Sequence, residues 1–82
     1  MQVLIRGLRR EITEQRLREK FAPYAPVRSV EIMRDGDPEQ PWAWVDFDMD
    51  LAAALGLLRQ FDGQYFDGGV MRLHLVPLQS SD

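Results

Sequence analysis

Segment 42–47, Trp-Ala-Trp-Val-Asp-Phe, alternates between two sets of side chains, and this alternation constrains the fold more than any other feature. Side chains of a β-strand point to opposite faces in turn, so Trp42, Trp44 and Asp46 share one face. The opposite face is wholly apolar: Ala43, Val45 and Phe47. Because an unpaired carboxylate is costly in a core, the apolar set predicts the buried face. The two indole rings are then left facing solvent, which indicates a binding surface.

The size and composition of the chain exclude several classes of protein. Its 82 residues correspond to one domain with a single modest core. The absence of cysteine excludes disulfides and thiolate metal sites. No apolar run approaches the ~18 residues of a membrane span, and residues 1–10 become charged too early for a signal peptide. We therefore expect a cytoplasmic protein without a cofactor, a membrane or a small-molecule substrate.

The remaining pattern predicts further strands at residues 1–8, 27–34 and 70–76, and two helices between strands. Thr13 is a good N-cap for the first helix, and Pro23 ends it. The pair Ile12 and Leu17 has the spacing of a hydrophobic staple.

The second helix is predicted to begin at Asp48 or Asp50 and to end at Asp62-Gly63. Apolar residues recur along it with helical spacing. They predict a buried stripe of Leu51, Ala54, Leu58 and Phe61, flanked by Leu55 and Leu57.

The order strand, helix, strand, strand, helix, strand predicts an α+β fold. Each strand has one apolar and one mixed face, which suits a four-stranded antiparallel sheet with two helices on one face. This is the ferredoxin-like βαββαβ arrangement, with the first and third strands in the centre.

With this order, the chain resembles the RNA recognition motif family over nearly its whole length. The family octamer runs basic, Gly, aromatic, small, aromatic, aliphatic, any, aromatic. Residues 40–47 fit it from Trp42 onward, whereas Gln40 and Pro41 depart from the first two positions. The hexamer at residues 3–8 fits its aliphatic positions but carries Leu4 where an aromatic is usual. Motif, order and spacing agree, which makes the match fairly specific.

The resemblance implies single-stranded RNA, or DNA, bound across the open sheet with bases stacked on the octamer aromatics. Position and alternation together give the expected RNA-binding residues: Trp42, Trp44, Leu4, Arg6, Met33, Arg72 and His74. Two arginines and two carboxylates, Glu31 and Asp46, make this face formally neutral, and ion pairs among these four are the alternative to an RNA role for the arginines. We therefore expect weak binding that depends on stacking, with low sequence specificity.

A second function stays open, which is a protein-interaction domain with the same fold. The net charge of −3 is consistent with it. The tryptophans or the helix face would then be buried in a homodimer or a larger assembly. An enzyme is not expected, because His74 is the single histidine and no nucleophile or second metal ligand has suitable spacing.

The domain is predicted to span residues 1–78, with a short disordered tail at residues 79–82. A domain that starts so near Met1 and ends near the last residue indicates a small stand-alone protein, for which we expect a bacterial source.

Overall fold

The computed structural model describes residues 1–76 and contains a four-stranded antiparallel sheet, two helices and a small hairpin. The elements in chain order are β1 (Gln2–Arg6), α1 (Glu14–Phe21), β2 (Val27–Met33), β3 (Trp42–Phe47), α2 (Leu51–Phe61), β4 (Tyr65–Phe66), β5 (Gly69–Val70) and β6 (Arg72–Val76). The sheet order is β2-β3-β1-β6, so β1 and β3 are central, and the predicted ferredoxin-like fold is confirmed. The predicted domain end at residue 78 and the tail at 79–82 lie outside the described residues.

One core joins the inner face of the sheet to both helices. Val3, Ile5, Ala43 and Val45 are fully buried on the sheet, and Leu17, Phe21 and Phe61 are buried on the helices. The Phe21 ring meets Phe47 of β3 edge-on at 5.5 Å and Phe61 of α2 at 5.1 Å between ring centres. A single ring of α1 therefore contacts both the central strand and the other helix, as edge-to-face aromatic packing allows.

Helix α1 begins as its sequence predicts. The Thr13 hydroxyl accepts the Arg16 N–H at 3.1 Å, and Ile12 and Leu17 are both buried. The carbonyl groups of the preceding loop are bound by Arg34, whose guanidinium donates to Arg10 O at 2.8 Å and Ile12 O at 2.7 Å. These long-range hydrogen bonds attach the β1–α1 loop to the end of β2.

Helix α2 is capped by Asp50, whose Oδ1 accepts the Ala53 N–H at 2.9 Å. Its buried residues are Ala54, Leu57 and Phe61, with Leu58 half-buried. The predicted stripe was too wide, because Leu51 is 51% exposed and Leu55 is 40% exposed. At about 100° per residue, Leu55 points about 100° away from Ala54, at the edge of the buried arc. Leu51 lies in the first turn and also at that edge.

The predicted final strand, 70–76, is divided in the structure. Asp67 and Gly68 adopt positive φ angles of 47° and 89°, and this turn pairs Tyr65 with Val70 in the β4–β5 hairpin. The Met71 N–H then donates to Gln64 O at 2.9 Å, while Met71 O accepts the Gly63 N–H at 2.8 Å. These bonds turn the chain at Met71, so the sheet strand starts only at Arg72.

The hairpin turn is attached to α1 by a bidentate ion pair. Arg16 Nε donates to Asp67 Oδ2 at 2.9 Å and Arg16 Nη2 donates to Asp67 Oδ1 at 2.7 Å. Arg16 occupies the position where a capping box would place Glu or Gln. Arg16 therefore does not cap the helix as Glu or Gln would, and instead forms a tertiary ion pair with Asp67.

Replacing Gly56 by alanine should stabilise the protein. Gly56 is exposed inside α2, and an added Cβ would meet nothing within 4 Å. Alanine is favoured over glycine there by about 1 kcal/mol, so urea unfolding of Gly56→Ala should give a higher free energy of unfolding by about that amount. Gly63→Ala is the matched control, because it also has open space but a φ of +86°. It should destabilise the protein, and stabilisation by both variants would contradict this account.

Acid should remove the contribution of the Arg16–Asp67 pair. The hydrogen bonds from Arg16 lower the pKa of Asp67 below its ordinary value. A carboxyl whose pKa is lower in the folded state contributes stability above its ordinary pKa, and this contribution is lost as the pH falls through the folded-state pKa. Urea midpoints at pH 6 and pH 3 should therefore fall more for the wild type than for Asp67→Asn. Arg16→Gln should match Asp67→Asn, and an unchanged pH response in both variants would contradict the assignment.

Candidate functional site

The register of the sheet arranges its outward side chains in rows that cross the strands. In the order β2, β3, β1, β6 the rows are Met33, Trp42, Arg6, Arg72; then Glu31, Trp44, Leu4, His74; then Ser29, Asp46, Gln2, Val76. All seven residues predicted to bind RNA lie in the first two rows, with Glu31 as the only other member. The structure therefore brings the predicted set together on one continuous surface.

The two tryptophans lie on the sheet face opposite the helices, but they are not equally exposed. Trp42 is 42% exposed. Trp44 is half-buried between its cross-strand neighbours Leu4 and Glu31. Within residues 1–76 both helices pack on the other face, against the core described above. The prediction that both rings face solvent holds fully for Trp42 and partly for Trp44, which has a neighbour on each side in the middle row.

Arg6 contacts the Trp42 ring. Its guanidinium carbon lies 4.9 Å from the ring centre, within the range of a cation–π interaction. One side of the indole is therefore occupied by an exposed arginine that a ligand would meet on approach.

Trp42 and Gln40 form the wall between two open depressions. The first has a volume of about 390 Å³ and is lined by Arg6, Gly7, Gln40, Trp42, Arg72 and His74. The second has about 380 Å³ and is lined by Met33, Asp35, Gly36, Asp37, Gln40 and Trp42. Gln40 stands at the first octamer position, but neither it nor the 35–37 turn was among the residues predicted to bind RNA. Their proximity in sequence to Met33 and Trp42, on either side of one hairpin loop, was the available signal.

Gly7 lines the first depression and has to be a glycine. Its φ is +82°, and a Cβ at this position would overlap the carbonyl oxygen of Val70. Only the smallest residue allows the end of β1 to pass so close to the hairpin.

The arginines of this surface do not pair with the predicted carboxylates. Arg72 Nε lies 3.3 Å from Asp62 Oδ1, at the end of α2. Asp46 Oδ1 instead lies 3.4 Å from the N-terminal ammonium of Met1. The alternative in which Glu31 or Asp46 pairs with Arg72 is not what the structure has, since the packing of α2 brings Asp62 beside β6. Positive charge is consequently concentrated at the Arg6 and Arg72 corner.

The described residues offer no site for a metal, since no three His, Asp or Glu side chains within 1–76 are grouped to hold an ion. Neither of the described helices has the length and apolar surface that would be needed to cross a bilayer.

The chain belongs to the RNA recognition motif family, whose model matches residues 3–72. No curated protein matches the sequence.

Solved structures show the same fold. The Pes4 RRM3 structure aligns with a TM-score of 0.80 at 15% identity, covering 99% of this chain and 96% of that one. The Rna15 RRM with bound RNA (GU) gives a TM-score of 0.73 at 17% identity, over 92% and 81% of the two chains. The SXL-lethal protein/RNA complex gives 0.78 at 17%, covering 98% of this chain and 48% of that one.

Proposed function

We propose that this protein binds short single-stranded RNA across the open face of its sheet, with bases stacked on Trp42 and Trp44. The observation that carries the proposal is the position of the two indoles in adjacent rows of the central strand β3, on the face without helices in the described chain. Membership of the RNA recognition motif family supports it, as do the RNA-bound structures of Rna15 and SXL-lethal, to which the fold is similar.

The spacing of the two platforms favours a single strand over a duplex. Positions 42 and 44 are two residues apart along β3, which corresponds to about 6.6 Å. Stacked bases in a duplex are about 3.4 Å apart along one strand. Neighbouring bases must therefore separate to occupy both indoles, which an unpaired strand does readily.

Stacking, rather than charge, is expected to provide most of the affinity. The chain has a net charge of −3. The three outward rows of the described sheet contain only Arg6 and Arg72 as cationic side chains, and the Met1 ammonium lies beside Asp46. Two platforms at ~1–3 kcal/mol per base sum to ~2–6 kcal/mol, which corresponds to a Kd of about 40 μM or weaker. Leu4 and Met33 would supply the apolar surround of the two rings. We expect DNA to bind as well, since stacking uses the ring faces and not the 2′-hydroxyl.

The double variant Trp42→Ala/Trp44→Ala should lose most of the RNA binding. Each removed platform is worth ~1–3 kcal/mol, so each should raise Kd by about 5-fold to 150-fold. Fluorescence anisotropy of an end-labelled oligonucleotide of mixed sequence measures the change. Tyr65→Ala is the matched control, because Tyr65 is an aromatic that is 69% exposed on the hairpin, outside the sheet rows. Equal binding by the double variant and the wild type would contradict the proposal.

The affinity should depend only weakly on salt. Releasing counterions from two phosphates of a single strand gives a slope of about −1.4 in log K against log salt. The same anisotropy titration between 50 and 300 mM NaCl should therefore give a slope no steeper than about −2. A slope of −4 or beyond would mean that many phosphates are neutralised, which the charges described above do not provide.

The protein-interaction alternative stays a prediction, and the exposed Leu51 and Leu55 of α2 are the observation that favours it. A dimer mass in size-exclusion chromatography, together with RNA binding that does not change in the tryptophan double variant, would support that role.

A further inference from the structure

Two arginines face each other on neighbouring strands of the open sheet. Arg6 of β1 and Arg72 of β6 are direct cross-strand partners, and like charges in this arrangement are destabilising. Asp62 contacts Arg72 from the α2 side, whereas the described contact of Arg6 is the Trp42 ring. The two guanidinium groups and this one carboxylate leave the corner with a charge of +1 in a chain whose net charge is −3.

The first depression places further hydrogen-bonding groups beside this pair. Arg6, Arg72, His74 and Gln40 line it around the Trp42 ring, in a volume of about 390 Å³. This volume falls within the range of small-ligand sites, about 300–1,000 Å³. Guanidinium forks bind phosphate oxygens in a bidentate manner, and the imidazole and amide groups can donate one further hydrogen bond each. The depression therefore combines a stacking surface with donors for an anion.

We propose that this depression binds a terminal phosphate monoester, on the nucleotide whose base stacks on Trp42. The proposal rests on the proposed function and specifies which end group the RNA carries there. A phosphate monoester has three free oxygens and a charge of about −1.5 to −2. A backbone phosphodiester has two free oxygens and a single negative charge. The monoester is thus the better match to two opposed guanidinium groups with His74 and Gln40 beside them.

The position of the depression in the sheet supports an end group over an internal phosphate. Arg6 is the last residue of β1 and Arg72 is the first residue of β6, so the pair lies at one end of the sheet, next to Gly7. Asp62 is a positioning residue for Arg72: its Oδ1 also accepts the Leu73 N–H at 2.9 Å, which ties it to the start of β6. Arg6 belongs to both the stacking surface and the anion site, because it contacts the Trp42 ring and also lines the depression.

The test compares one oligonucleotide sequence with a 5′-phosphate, with a 3′-phosphate and with hydroxyls at both ends. The fluorophore is placed internally, and anisotropy gives Kd. We expect one of the phosphorylated forms to bind at least fivefold more tightly than the hydroxyl form. Arg72→Gln should abolish this preference, so that in this variant the phosphorylated forms bind within twofold of the hydroxyl form. Arg59→Gln is the matched control, because it removes the same charge from the exposed surface of α2 and should keep the preference.

Equal Kd values for all three end groups would overturn the proposal while leaving RNA stacking intact. An Arg72→Gln variant that weakens all three forms equally would also overturn it, since that result describes a general backbone contact. Loss of binding in the tryptophan double variant tests the proposed function separately.

A free nucleotide shares this chemistry, and a second titration distinguishes the two sources. Tryptophan fluorescence of the wild type is followed with adenosine 5′-monophosphate and with adenosine. If adenosine 5′-monophosphate quenches the fluorescence in the same concentration range in which the phosphorylated oligonucleotide binds, the site is assigned to free nucleotides. Much weaker quenching by the monophosphate than by the oligonucleotide would assign it to RNA ends. If neither the monophosphate nor any oligonucleotide binds, both proposals fail.

Discussion

The contact of the Phe21 ring with Phe47 and Phe61 is the interaction on which the rest of the structure depends. It joins α1, the central strand and α2 through one buried side chain. Phe47 belongs to the buried face of β3 together with Ala43 and Val45. Shifting β3 by one residue would move this apolar set to the open face and bring both tryptophans and Asp46 into the core. The packing of the phenylalanines thus determines that the indoles face away from the helices.

The open face separates two kinds of recognition. Trp42 and Trp44 lie on the central strand β3, where an indole ring can stack on a base. Stacking is a contact interaction and does not require a positively charged surface. The cations are concentrated at one corner, at Arg6 and Arg72, and the carboxylates Asp46 and Glu31 lie toward the opposite corner. A formally neutral face therefore carries a gradient of charge across it. In a chain with a net charge of −3, such a local gradient orients an anionic ligand where overall charge would repel it.

Most of the fold and the composition of the candidate site were predictable from the sequence, because both follow from short-range periodicity. Alternation in β1 and β3 assigned Val3 and Ile5 to the core and Leu4 and Arg6 to the open face, as the burial confirms. The Thr13 cap was predictable because its hydrogen bond spans three residues. The hairpin at Tyr65–Val70 was missed, since Val70 continues the apolar pattern of the strand that follows and only the turn at Asp67 and Gly68 separates them.

The sequence by itself determined which side chains share a face, since the period of a strand or a helix is a local property of the backbone. The tertiary structure alone decided which of these side chains meet across elements. Arg72 pairs with Asp62, and Arg16 pairs with Asp67, because helix packing brings together residues that charge and spacing do not single out. It also decided that Trp44 is half-buried while Trp42 stays exposed, and that Trp42 is shared by two depressions. Exposure and pairing depend on neighbours distant in sequence, and those neighbours are defined only once the sheet has its register.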